Sequence, residues 1–311
     1  MLSFTNLKEK KGIPMVPRER VADNVYSFQS DVYAQVTAGA VVGPNWAVVI
    51  DTLALPEETL GIRSFLEQEL NVPVKYVINT HYHADHSWGN CFFPGATIIS
   101  HSLCREKLST SGQVSLREAR QQSNVFRSVK IVLPHLTFTE SILNLRVGKK
   151  TLNLMSLPGP SPDNIGVLVE EDRVLFAGDA FMPLPYLVDG DIDDMVASFK
   201  KIGKMGLENI IQGHGDTVLR GEIDNAVKDN LAYLSAVRKA VRKASRRKFP
   251  LELLETVDIE SCGKSRVLIG GLAVELHRRN LRGLYRSLYG EPHVRTEEDF
   301  DEEEGEFDDE E

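Results

Sequence analysis

Residues 74–90 read VKYVINTHYHADHSWGN, an apolar, β-branched run that ends in three histidines and an aspartate within six residues. VKYVINT has the composition of a buried strand, which places His81 at its carboxyl end and the cluster on a strand-to-helix loop. His81 and His83, two apart in extended chain, can reach the same side, after which Asp85 and His86 turn toward a second position. A catalytic divalent metal takes about three protein ligands and keeps a position open for water. Two metals roughly 3.5–4 Å apart can hold a hydroxide between them. A solitary histidine is ordinarily surface or core filler, but His-x-His-x-Asp-His after a strand points to metal.

Two apolar runs upstream, VYAQVTAGAVVG (32–43) and WAVVIDT (46–52), read as strands, the second ending near Asp51. Helical spacing covers 57–70. Downstream, TIISH (97–101), LNLRVG (143–148), TLNLMSL (151–157), IGVLVEE (165–171) and RVLFAGD (173–179) read as short strands. MVASFKKIGKM then reads as a helix, NIIQGHG as a strand ending at His214, and two long helices follow. Two β-rich halves, each flanked by helices, predict a layered α/β architecture.

THYHADH resembles the signature of the metallo-β-lactamase superfamily, and the similarity runs in order from about Val25 to Lys248. It implies an α/β fold, the four-layer αββα sandwich, here with extra C-terminal helices. Asp51 in VVIDT matches the family's early, structural aspartate. Asp179 in LFAGD matches the bridging carboxylate, and His214 in IIQGHG the last histidine. The metal ligands implied are His81, His83, Asp85, His86, Asp179 and His214, with Asp85 also orienting the nucleophile. Zinc, one or two ions per chain, is the expected metal, with manganese or iron as alternatives.

One element departs from the pattern. Where the family carries Gly-His-Ser/Thr before Pro-Asp-Asn, this chain reads LPGPSPDNIG, with Pro160 in the place of the histidine. Proline cannot ligate, so the first site keeps His81, His83 and a share of Asp179, while the second keeps Asp85, His86, His214 and Asp179. Occupancy by a single metal is the expectation. His101, at a strand end, and His135 read first as packing or supporting residues, His101 being the better of the two to approach the first metal; Tyr82, Trp88, Tyr186 and Asp189 are candidates to line the pocket, Trp88 equally a candidate for the core. The function implied is metal-dependent hydrolysis, a metal-held hydroxide attacking an ester, lactone, amide or thioester of a small molecule. The alternative is a degenerate, non-catalytic scaffold or interaction protein.

The 311 residues, 42% hydrophobic and 26% charged, suffice for one large domain with an appendage. The expected division is 1–248 for the metallo-β-lactamase-like domain, 249–291 for a C-terminal helical extension and 292–311 for a disordered acidic tail. The last fifteen residues carry twelve acidic side chains, and without them the formal charge of −9 becomes +3. The basic run VRKAVRKASRRK (237–248) lies on a helical pattern and reads as its solvated face, which argues against nucleic-acid binding. No stretch approaches the roughly 20 apolar residues of a membrane span. The start has no secretory pattern, and Cys91, Cys104 and Cys262 form no disulfide framework, so a cytoplasmic protein is expected. The C-terminal helices could dock on the body or form a homo-oligomer contact.

Overall fold

A computed structural model describes residues 16–139 and 142–291. The expected acidic tail, 292–311, lies outside the described residues.

The first sheet has seven strands in sequence order: β1 (Arg18–Ala22), β2 (Val25–Gln29), β3 (Thr37–Val42), β4 (Ala47–Ile50), β5 (Val74–Ile78), β6 (Thr97–His101) and β7 (Leu136–Phe138). β1 to β4 form an antiparallel meander, and β4 to β7 run parallel. The second sheet contains β8 (Leu143–Val147), β9 (Lys150–Ser156), β10 (Ile165–Val169), β11 (Val174–Gly178), β12 (Asn209–Gln212) and β13 (Val218–Leu219). Only its β11–β12 pair is parallel.

Side-chain alternation along the strands separates two cores. Val48, Ile50 and Ile78 from the first sheet meet Val167, Phe176 and Ile211 from the second in the layer between them. The intervening residues, Val49 and Val77 on one sheet and Leu175 and Ala177 on the other, face outward into helix-covered layers. The inner strands of both sheets, such as β3, β4, β10 and β11, are therefore buried on two faces, which explains why they read as continuous apolar runs.

The helices are α1 (Pro56–Ser64), α2 (Ala84–Ser87), α3 (Ser102–Lys107), α4 (Gln113–Gln122), α5 (Ile192–Ile202), α6 (Ile223–Ala244), α7 (Pro250–Glu255) and α8 (Ala273–Tyr289). α1 continues as a π-helical turn over Phe65–Glu69, so the helix predicted over 57–70 is one rod with a widened last turn. The last of the expected C-terminal helices starts at Ala273, because Gly270 and Gly271 take left-handed conformations ahead of it. α8 packs on α6 and α7 through Leu276, Leu281 and Leu284, so the C-terminal segment docks on the body of its own chain. No helix among the described residues is long and apolar enough to cross a membrane.

Lys264, on the segment between α7 and α8, donates to Asn230 Oδ1 of α6 at 2.6 Å. Burial lowers its pKa from the usual lysine value to about 8. The folded chain is then short of a proton relative to the unfolded chain between pH 8 and the ordinary lysine range. Stability should rise with pH across that window, and the full penalty should be present below it. Wild type is expected to gain up to about 2 kcal/mol on Lys264→Met between pH 7.5 and 10.5, Lys264 being partly exposed. Denaturant midpoints of both proteins measure this, and parallel curves would contradict it.

Candidate metal centre

Every residue of the candidate centre follows the carboxyl end of a strand. β4 leads to Asp51, β5 to Thr80 and His81, β11 to Asp179, and β12 to Gly213 and His214. These strands run parallel within each sheet, so their ends open on one edge of the sandwich, the usual place for ligands in parallel sheets. The edges are stitched together by Thr37 N donating to Gly213 O at 2.9 Å and Gly215 N to Gln35 O at 2.9 Å. Ala34, Gln35, Asp51 and Leu53 all have positive φ (50°, 52°, 56° and 60°), a conformation costing of order 1–3 kcal/mol per residue. That strain is concentrated around the strand ends, where the backbone bends to aim side chains inward.

All six residues singled out in the sequence, His81, His83, Asp85, His86, Asp179 and His214, come together here and are buried. His81 Nε2 lies 2.9 Å from His83 Nδ1 and 3.3 Å from Asp179 Oδ2. His83 Nδ1 lies 3.7 Å from the same oxygen. The other oxygen, Asp179 Oδ1, faces His86 Nε2 at 3.3 Å and His214 Nε2 at 3.5 Å, and His214 Nε2 is 3.5 Å from Asp85 Oδ2. One atom each from Asp85, His86 and His214 lies within 4.8 Å of the others, and the same holds for His81, His86 and Asp179.

The outward ring nitrogens decide what the inward ones offer. His86 Nδ1 sits 2.8 Å from Asp51 Oδ2, and His214 Nδ1 2.9 Å from the Ala34 carbonyl. His83 Nε2 is 3.1 Å from Asp189 Oδ2. His81 Nδ1 is 3.0 Å from Thr80 Oγ1, whose own proton goes to Asp51 Oδ2 at 2.7 Å. With a proton on each outward nitrogen, as those acceptors require, the inner nitrogens of four imidazoles face two carboxylates and can offer their lone pairs to a cation that displaces any inner proton. His86 Nε2 and Asp179 Oδ1 are buried with no hydrogen-bond partner among the described residues. Orphaned acceptors are costly in a protein interior, and a cation among them removes that cost. The donor set therefore fits a divalent metal.

The titration directions report the same charge pattern. Burial pushes His83 and His86 down, yet neighbouring carboxylates outweigh it. His83 is raised to about 9 by Asp179 and Asp189, and His86 well above its usual value by Asp179 and Asp51. His81 is lowered, first by burial and then by His86. Against the pull of burial, Asp179 is held well below the carboxylate range by His81, His86 and His214, and Asp85 is lowered by His86 and His214. The centre is an acidic pair that demands positive charge.

Asp51 supports rather than joins the cluster. It accepts from Thr80 N and Thr80 Oγ1, both at 2.7 Å, and fixes the tautomer of His86. Asp51→Asn is expected to lower metal affinity by roughly 10–100-fold, as loss of such outer partners does elsewhere. Competitive titration against a chromogenic chelator measures this, and an unchanged affinity would remove Asp51 from the account.

The peripheral candidates divide. His101 does not approach the first position. Its Nδ1 accepts from Leu103 N at 3.2 Å, capping α3, because the strand end turns directly into that helix. His135 Nδ1 accepts from Ile98 N, a strand-edge role. Trp88 is core, 1% exposed and edge-on to Phe126. Cys91 bonds the Trp88 carbonyl. Tyr82 and Tyr186 do face the centre, each hydroxyl directed at Asp189 Oδ2, at 3.4 and 3.1 Å. Sequence reasoning missed the roles of Thr80 and Ala34, and their signal was only adjacency to the motif and to a strand end.

A family profile described as the metallo-beta-lactamase superfamily matches residues 33–250. The chain belongs to the metallo-beta-lactamase superfamily. Solved structures with this superfamily's sandwich agree in fold. A metallo-beta-lactamase from Pontibacter korlensis superposes with a TM-score of 0.57 at 17% identity, covering 68% of this chain and 97% of that one. The sec-alkylsulfatase Pisa1 from a Pseudomonas species gives 0.69 at 15% identity, covering 88% of this chain and 50% of that one. Among curated relatives, a beta-lactamase-like protein 2 homolog of Caenorhabditis elegans is 23% identical over 148 residues, 48% of this chain and 44% of that protein. A thioesterase of Emericella nidulans, pkgB, is 23% identical over 176 residues, 55% of this chain and 43% of that protein. The chain spans less than half the length of these two curated relatives. Within the metallo-beta-lactamase superfamily, hydrolases are the relatives in view, and the His/Asp cluster can hold metal.

Proposed function

We propose that the chain is a metal-dependent hydrolase of small-molecule esters, lactones, amides or thioesters. The observation that carries this reading is the inward set of lone pairs, with His86 Nε2 and Asp179 Oδ1 buried and unpartnered. Asp85, His86, His214 and Asp179 would hold the tighter cation, and His81, His83 and Asp179 a weaker one for lack of the residue that Pro160 replaces. A bound divalent cation supplies a Lewis acid and brings the pKa of water toward neutrality. Asp85, lowered in pKa and so ionised, accepts a hydrogen bond from the attacking water and aims it. Tyr82 and Tyr186 are pushed up, by burial first and then by Asp189, and so stay protonated donors rather than bases.

The test is metal content together with hydrolysis of a panel containing a p-nitrophenyl ester, an acyl thioester, a lactone and a β-lactam. At least one substrate should be turned over, and a chelator should abolish turnover until metal is restored. Protein purified with trace metals but holding no stoichiometric metal and hydrolysing nothing would favour a non-catalytic scaffold.

A further inference from the structure

The loop that follows Asp179 carries Tyr186 and Asp189 to the mouth of the centre, yet it has little means of holding itself. Residues 181–191 form neither strand nor helix, and Pro183 and Pro185 have no N–H to donate. Its buried backbone groups are satisfied from outside. Asn280 of α8, 0% exposed, accepts from Leu187 N at 2.8 Å and donates to the Pro185 carbonyl at 2.6 Å. Asn230 of α6 donates to the Met182 carbonyl at 3.0 Å. The Asn280 amide also donates to Tyr233 Oη at 3.1 Å, and Tyr233 Oη lies 2.9 Å from His277 Nδ1. Gly283 lets α8 close on the loop, since a Cβ there would stand 3.2 Å from Val188 Cα.

We propose that Asn280 is a positioning residue for the metal centre: it fixes the 185–187 backbone, and so the place of Asp189, which holds the His83 ring by its Nε2 proton. The family profile ends at residue 250, so Asn280 on α8 lies beyond the matched region, whereas Asn230 and Tyr233 on α6 lie within it. The chain of contacts is short. Leu187 is two residues from Asp189, and Asp189 Oδ2 is 3.1 Å from His83 Nε2. Asp189 is the acceptor that holds the Nε2 proton and so keeps Nδ1 turned toward His81 and Asp179. The inference rests on the hydrolase reading for its significance, but not for its test.

The experiment uses metal-free full-length protein. Asn280→Leu keeps the branched shape of the side chain, at a somewhat larger volume, and removes both bonds to the loop. Amide hydrogen exchange over 182–190 should accelerate at least tenfold, with 165–178 unchanged. In proton–nitrogen spectra of the imidazoles, the His83 Nε2 proton should shift or broaden away. The His86 Nδ1 proton, held by Asp51, should persist and report an intact fold. Gly283→Ala, which pushes α8 from Val188, should act in the same direction more weakly, and it carries the test if Asn280→Leu fails to fold. A loosened loop with an unmoved His83 proton overturns the positioning role, as does unchanged exchange over 182–190. Absence of hydrolytic activity in wild type would defeat the functional reading while leaving these readouts decisive.

Discussion

Replacement of His86 by alanine is expected to lower metal affinity by more than about 100-fold and to reduce metal-dependent hydrolysis at least in proportion, with the fold retained. His86 belongs to the tighter ligand set and stands in both groups of close-lying donor atoms, through an Nε2 that has no hydrogen-bond partner among the described residues. Its removal leaves Asp85, His214 and Asp179 one nitrogen short. The cost to folding is smaller, because Asp51 keeps its two bonds from Thr80 when the imidazole is gone. A loss of about 1–3 kcal/mol is expected for the bond and packing removed. Metal per chain after dialysis against a weak chelator, with circular dichroism as the control for folding, gives the measurement. His135→Ala, a substitution at a strand edge outside the cluster, should keep its full metal complement. Equal retention by both variants would mean that the cation sits elsewhere.

How much of this the sequence discloses depends on whether a feature is periodic or depends on distant parts of the chain. The strands β5, β6, β10 and β11 are legible because each is an apolar run buried on both faces, bounded by turn residues. The six cluster residues are legible because they stand at strand ends or in one six-residue loop. Asp51 could be read as a strand-end aspartate, but its service to Thr80 and His86, 29 and 35 residues away, has no periodic trace. His101 reads first as a packing histidine and only second as one that could approach the first metal, and the immediate start of α3 gives its ring the role of a cap. Asn280 was visible in principle. It shares the buried face of α8 with Leu276, His277, Leu281 and Leu284, and an asparagine on an apolar stripe asks for a partner. What it holds, a proline-interrupted loop 93 residues earlier, becomes visible only in three dimensions.

Pro160→His is expected to raise metal content from about one ion per chain toward two, by giving the His81–His83 position the nitrogen donor it lacks. The loop can bear the change. Its course is set by Asn164, which donates to the Leu157 and Ala177 carbonyls at 3.1 and 3.2 Å, and by Asp163, which accepts from Tyr82 N at 2.8 Å. Ile165 N donates to the Thr80 carbonyl at 2.9 Å, so the loop lies against the cluster itself. None of these bonds involves Pro160. Relaxing its φ costs about 1 kcal/mol or less through the unfolded chain, and the new N–H must find water or a carbonyl because the position is buried. If the missing ligand alone limits the centre, the second ion should bind at least about 100-fold more tightly than in wild type, and hydrolysis of ester or lactone substrates should rise with it. A pocket specialised for one metal makes a different prediction, a second ion gained with turnover unchanged or reduced. Metal stoichiometry and turnover of the two proteins under the same zinc or manganese supply separate these outcomes. A folded variant that binds no more metal than wild type would refute the assignment of Pro160 to a vacated ligand position.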